Sequence, residues 1–252
     1  MPSFFAGALE AEPDLAAAPP ADLPFVHGST ADTIRQILHD GEIKTSFCIQ
    51  FGQELSYVFR GRPDYFKRHD GKHSADYGRL PAFLVFDAAC PIQTTQHHPF
   101  DTGAWGQYTE LHTWNRPDFR LNPTSTGASR VIDLYYGGDN EAYFDRESSE
   151  GLTFISDIAN AYGGFISAAA PYDDGRRSAI EVASAECLTL SGWVIGAVLP
   201  DRVYEEASVR DALADLGCAV RLYEVRSAVQ PDFVRSEARG LVKSLLREAG
   251  SF

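Results

Sequence analysis

Residues 23–65, LPFVHGSTADTIRQILHDGEIKTSFCIQFGQELSYVFRGRPDY, decide how this chain folds. A short apolar run, residues 23–26, ends in His27-Gly28-Ser29. The next segment carries the boundary signals of a helix. Ser29 or Thr30 can cap it, and Asp32 puts an acid in the first turn, at the positive end of the helix dipole. Ile34, Ile37 and Leu38 share one face at helical spacing, and Gly41 suits the left-handed residue that closes such a helix. From Phe47 the period changes to two. Phe47, Ile49 and Phe51 alternate with Cys48 and Gln50, which predicts a half-buried strand. The reading is strand, His-Gly-Ser turn, helix and second strand, then an aromatic and arginine cluster from Tyr57 through Arg60 and Arg62 to Tyr65.

Composition narrows the class. The 252 residues suffice for one large domain, and 44% apolar with 23% charged residues is the make-up of a water-soluble globular chain. A formal charge of -13 argues against a broad electrostatic footprint for nucleic acid or an anionic membrane. Arg60, Arg62, Lys67, Arg68 and Lys72 nevertheless lie close together, a local basic patch that leaves nucleic acid possible as a partner. Cys48, Cys90, Cys187 and Cys218 lack metal-ligand spacing and sit in or near apolar runs, as expected of buried thiols in a reducing cytoplasm. No segment approaches the length of a membrane span, and the N-terminus lacks the charged-then-apolar pattern of a secretory signal. The expected location is therefore cytoplasmic.

Around the opening stretch, residues 1–22 are rich in Ala, Pro and acids (AEPDLAAAPPAD) and predict a flexible leader before a domain over 23–252. AFLVFD, residues 82–87, predicts a central strand. Residues 90–129 show little periodicity and predict a long functional loop, with the aromatic-rich part from Phe100 to Tyr108 expected on the acceptor side. VIDLYY, residues 131–136, reads as a strand before Gly137-Gly138, and residues 151–163 read as a helix. Short strands are expected over 179–182, 193–199 and 219–225, with an amphipathic helix over 203–216 and a C-terminal helix opened by Pro231. Strands and helices in this mixture make an α+β domain.

His27-Gly28-Ser29, Tyr57 and Glu181, the last in SAIEVASAECLTLSGWVIGAVLP, form a sparse His, Tyr, Glu set. Their order resembles the ADP-ribosyltransferase superfamily, in the branch shared by diphtheria toxin and the poly(ADP-ribose) polymerases. There a His followed by Gly and a small hydroxyl residue ends the first strand, a Tyr opens the helix after the second strand, and a Glu lies at a late strand. The resemblance covers residues 24–66 and 177–200, and the middle of the chain is unmatched. The position two before Glu181 is Ala179, not an acid, so the likeness does not extend to the arginine-modifying branch.

The resemblance implies an ADP-ribosyltransferase-like split mixed β-sheet with peripheral helices. It also implies NAD as the substrate and a mono-ADP-ribosyltransferase or NAD glycohydrolase activity toward an unspecified macromolecular or small-molecule acceptor, while the lack of ligand spacing among His, Cys and acidic residues predicts no metal. Glu181, Tyr57 and His27 are the implied catalytic residues. His27, Gly28, Ser29, Tyr57, Arg60, Arg62 and Tyr65 are the candidates to hold NAD. The residue types suit that chemistry. Breaking the nicotinamide–ribose bond develops positive charge on the ribose, which a carboxylate stabilises, and the same carboxylate can draw a proton from the acceptor. A Tyr ring offers a face to the cationic nicotinamide, His27 can donate to a ribose hydroxyl, and guanidinium groups match pyrophosphate geometry.

Each residue also has a structural reading. His27 can be a satisfied polar group at a turn, Tyr57 a core residue, and Glu181 an exposed strand residue or a partner of Arg176 or Arg177. A non-catalytic nucleotide- or protein-binding module on the same scaffold is the alternative function. Asp101-Thr102-Gly103 matches the aspartic-protease triplet in a single copy only, and the histidines have no ligand spacing and are expected on the surface. An open or a filled space between His27, Tyr57 and Glu181 discriminates enzyme from module.

Overall fold

The computed structural model describes residues 3–16, 20–63, 76–168, 174–225 and 231–252. Tyr65, Lys67, Arg68 and Lys72 lie outside the described residues. The chain opens with α1 (Phe4–Ala11), then β1 (Phe25–Thr30), α2 (Ala31–Asp40), β2 (Glu42–Ile43), β3 (Ser46–Cys48), β4 (Gln53–Arg60), β5 (Pro81–Phe86) and β6 (Thr94–His98). Next come three short 3-10 turns over 102–119, then α3 (Ser125–Tyr136), α4 (Asn140–Asp145) and α5 (Asp157–Ser167). The last third holds β7 (Glu181–Ser184), β8 (Leu188–Thr189), β9 (Val194–Pro200), α6 (Asp201–Tyr204), α7 (Ala207–Leu216), β10 (Ala219–Tyr223) and α8 (Pro231–Glu248).

The main sheet runs β10-β9-β5-β1-β4-β7-β6, with β3 added to β4, and β2 pairs with β8 apart from it. The β9–β10 pair is parallel and the other pairs of this sheet are antiparallel, so the sheet is mixed. Successive residues of a strand point to opposite faces, and the sequence supplies apolar side chains for both. Phe25, Val58, Leu84 and Val182 meet Ile34, Ile37 and Leu38 of α2 and Val209 and Leu213 of α7 on one side. Val26, Phe83, Val85 and Val198 meet Val234, Ala238, Val242 and Leu245 of α8 on the other. A third cluster, built by α1, α3, α5 and the aromatic residues of 100–119, buries Phe5, Phe100, Phe119, Tyr135, Tyr162 and Phe165 with Ile180.

Several elements depart from the sequence reading. Residues 4–11 are not part of a flexible leader: α1 buries Phe5 and Leu9, and Ser3 caps it by accepting from the Ala6 amide at 3.1 Å. Its two aromatic and aliphatic anchors outweigh the disorder-promoting composition that follows it. Residues 131–136 are the end of α3, not a strand. All six are buried, Asp133 included, so this half of the helix is enclosed on most sides and its apolar run carries no helical period by itself. Alternation over 47–51 marks exposure, not burial. β3 ends at Cys48, and Phe47 and Ile49 are 62% and 87% exposed.

Tyr57 lies inside β4 instead of opening a helix after it, and His27-Gly28-Ser29 lies inside β1. Residues 90–129 contain β6 and the start of α3, and His97 and His98 are buried on β6, not on the surface. Of the four free thiols Cys90 is buried, Cys48 and Cys218 are half-buried, and Cys187 is exposed.

Candidate active site

The site forms where the sheet divides. β1 stays paired with β5 through Thr30, but it meets β4 only at Phe25↔Arg60 and Val26↔Phe59. Past Val26 the two strands part, and the gap becomes a cleft of about 680 Å³ lined in part by His27, Gly28, Ser29, Tyr57, Asp101 and Glu181. The join below it is braced. The Arg60 guanidinium carbon lies 3.8 Å over the Phe25 ring centroid and the side chain donates to the Leu23 carbonyl at 3.2 Å. Gly61, at φ +60°, passes so close to Leu23 that a Cβ there would lie 2.6 Å from Leu23 Cδ1. The Tyr143 hydroxyl on α4 donates to the Arg60 carbonyl and accepts from the Ile180 amide, both at 3.0 Å, which ties the end of β4 to the start of β7.

His27 spans the split. Its Nδ1 lies 2.8 Å from the Tyr57 carbonyl oxygen. A carbonyl only accepts, so Nδ1 carries the proton and Nε2 presents a lone pair. Burial holds the imidazole below its ordinary range and keeps it neutral. Nε2 is buried without a protein partner. In this tautomer Nε2 can accept a hydrogen bond but not donate one, the reverse of the donor role expected from sequence. Tyr57 presents its ring on the wall; its hydroxyl is buried beside the Cys48 thiol, with no partner in hydrogen-bonding geometry, and burial raises its pKa.

Glu181 opens β7, 2% exposed, opposite Phe59 of β4 and His98 of β6. Tyr57 is two residues from Phe59, so Tyr57 and Glu181 share one face of the β4–β7 ladder, a diagonal apart. Thr102 supplies two donors to the carboxylate, its Oγ1 at 2.6 Å to Oε1 and its amide at 3.2 Å to Oε2. Burial, followed by the charge of Asp101, raises the Glu181 pKa well above the ordinary value, and the Thr102 bonds oppose that rise. Neither Arg176 nor Arg177 pairs with it. Arg176 binds Asp174 at 2.7 Å, and Arg177 binds Glu110.

The arginines expected to hold pyrophosphate do other work. Arg62, 0% exposed, donates to the Ser178 carbonyl at 2.9 Å, to Ser178 Oγ at 2.7 Å and to the Gly175 carbonyl at 3.0 Å. It braces the turn that leads into Glu181. Arg60 is 8% exposed on the brace described above, and neither arginine lines the cleft. Lys44 is the one cation of the described lining, and it sits 2.8 Å from Asp40, with Glu42, Asp101 and Glu181 adding carboxylates.

Asp101, Thr102 and Cys48 belong to the site and were absent from the sequence-based set. Asp101-Thr-Gly matches a protease-like triplet and falls within the segment expected on the acceptor side, but its place beside Glu181 depends on β6, which has no periodic signal. From the expected acceptor segment, Asp101 and Gly103 reach the cleft, whereas Phe100 and Tyr108 are core. No metal-holding cluster of His, Cys, Asp and Glu occurs among the described residues, and no helix among them is long and apolar enough to cross a membrane. Comparisons with protein-family models, curated proteins and solved structures returned no match to this chain.

Proposed function

We propose that the protein cleaves the nicotinamide–ribose bond of NAD and passes ADP-ribose to an acceptor, a protein, a small molecule, a nucleic acid or water. On this reading the fold is an ADP-ribosyltransferase-like split sheet. The observation that carries it is the convergence of His27, Tyr57 and Glu181 on one open cleft at the division of the sheet. The volume falls in the range of small-molecule sites.

Each residue then has a task. The Tyr57 face receives the nicotinamide cation, His27 Nε2 accepts from a ribose hydroxyl, and the Gly28 backbone can approach the carboxamide. As the C–N bond breaks, its electron pair goes to nicotinamide, which leaves neutral, and positive charge builds on the ribose. Glu181, in a buried setting where charges are weakly screened, stabilises that charge and can take the acceptor's proton. The acid-rich lining suits a substrate with a cationic end.

The alternative, a non-catalytic nucleotide- or protein-binding module, has one observation in its favour: neither Arg60 nor Arg62 reaches the cleft to hold pyrophosphate. Incubation with NAD labelled in the adenylate phosphate, with and without cell lysate, separates the two. Nicotinamide release with label on an acceptor supports a transferase, and release without labelling supports a glycohydrolase. Saturable NAD binding with no release supports the module and overturns the enzymatic reading.

A further inference from the structure

We infer that Thr102 is a positioning residue for Glu181, holding the carboxylate in one orientation at the split with two convergent donors. The inference rests on the reading of Glu181 as the carboxylate that meets the substrate. Thr102 is itself 1% exposed, and it approaches Glu181 with both a hydroxyl and an amide, at 2.6 and 3.2 Å. A single residue therefore occupies both carboxylate oxygens, which leaves the group little freedom to rotate.

Thr102 is in turn fixed from both sides. Before it, Phe100 is fully buried, with its ring 5.5 Å from Phe119 and 6.2 Å from Phe165 between centroids. The Asp101 amide donates to the Arg176 carbonyl at 2.9 Å, and the Asp101 carbonyl accepts from the Tyr108 hydroxyl at 3.1 Å. After it, the Gly103 amide donates to Asp101 Oδ1 at 2.7 Å, which starts the 3-10 turn. A donor held this rigidly need not reorganise as charge develops on the substrate.

The same segment sets two opposed influences on Glu181. The Thr102 donors favour the carboxylate form, whereas the Asp101 charge disfavours it. The other ionisable groups facing Glu181 are Tyr108 from this segment, Cys48 of β3 and Tyr57 of β4, with His98 opposite on β6. Burial keeps His98 neutral and both tyrosines protonated over the working pH range, so Asp101 is the one of these acids whose charge is removed in the test below.

The test is a carbon-13 carboxyl NMR titration of glutamate-labelled protein, the Glu181 resonance being the one lost in E181Q. T102V removes the hydroxyl donor at nearly constant shape and should raise the Glu181 midpoint by about one to two pH units. T102S, which keeps both donors, should stay within a few tenths, and D101N, which keeps an acceptor for Gly103 but not the charge, should lower it. If T102V does not fold, T102A carries the same expectation. A T102V or T102A midpoint equal to wild type, or a T102S shift as large as theirs, overturns the inference, because a purely structural threonine would change melting temperature without moving the titration. The acid limb of kcat/KM for NAD should move with the midpoint. Absence of turnover in the wild-type protein would sink the NAD reading, and the titration would still decide what Thr102 does to Glu181.

Discussion

Replacing Glu181 with Gln should lower turnover and raise stability at once. The side chain is 2% exposed, and burial plus the neighbouring Asp101 lift its pKa well above 4.5. A carboxyl whose folded pKa is raised contributes most below its unfolded pKa, and that contribution is lost as pH climbs to the folded value. Gln has no such loss. Below pH 4.5 the two proteins should be alike, because the protonated acid and the amide have one donor-bearing end and one acceptor and meet Thr102 in the same way. Above it the variant should gain on wild type by about 1.4 kcal/mol per pH unit until the folded pKa is reached. Catalysis should go the other way. Without the negative charge, NAD cleavage should fall roughly 100- to 1,000-fold, about 3–4 kcal/mol, with NAD affinity within a few-fold. Urea unfolding of both proteins from pH 4 to 8, paired with nicotinamide release, reads the two effects. A variant less stable than wild type at pH 8 would refute the buried-carboxylate argument, and full turnover in a well-folded variant would refute the catalytic one.

Arg62→Met should destabilise by roughly 3 kcal/mol or more, because three oxygens lose their buried donor, while NAD affinity of the folded fraction at low temperature stays within a few-fold. A selective loss of NAD binding at unchanged stability would restore the phosphate-binding role. His97 and His98 are neutral in the fold, with pKa values lowered by burial to about 4 and about 3, so the unfolded chain binds more protons below pH 6.5. Each should drain stability by up to about 1.4 kcal/mol per pH unit as pH falls from 6.5 toward those values, and His98→Phe should flatten that slope in acid unfolding curves. NADH has a neutral ring where NAD has a cation. It should bind about tenfold or more weakly by calorimetry, with the gap narrowing in salt, and equal affinities would deny the acidic wall and Tyr57 their role.

The elements legible in the sequence are those whose signals are local. α2 could be read because its cap, its 3.6-residue apolar face and Gly41 all sit within twelve residues, and Thr30 does cap it while Gly41 takes the left-handed conformation at φ +73°. β5 and β9 were readable as unbroken apolar runs, the mark of strands covered on both faces. The failures share a cause. β6 reads TTQHH, with no periodicity, since it is held by pairing with β7 and its histidines are buried through tertiary contacts. The second half of α3, VIDLYY, is buried throughout and so shows no helical period of its own, and α1 is a helix because a distant cluster of aromatic residues gives Phe5 somewhere to go. No window on the sequence contains those partners.

The site shows the same division between local and distant causes. His27, Gly28 and Ser29 were found as a tripeptide, yet the property that makes them a site is the loss of β1–β4 pairing after Val26, and nothing in those residues announces it. Tyr57 illustrates the consequence. On a fully paired ladder its carbonyl would belong to the neighbouring strand, but here the strand has turned away and the imidazole of His27 takes its place. That one substitution of a side chain for a strand leaves room for the cleft and fixes the imidazole tautomer, with Nε2 buried and unpaired. The arginines mislead for the converse reason. Beside aromatic residues in sequence they look like an anion site. In the fold, Arg60 and Arg62 sit on the closed side of the split, and their charge goes to carbonyl oxygens and rings that hold β4 and the approach to Glu181 together. Where β1 and β4 part, ladder hydrogen bonds are lost, and beside the end that stays paired the buried guanidinium groups supply donors to carbonyl oxygens.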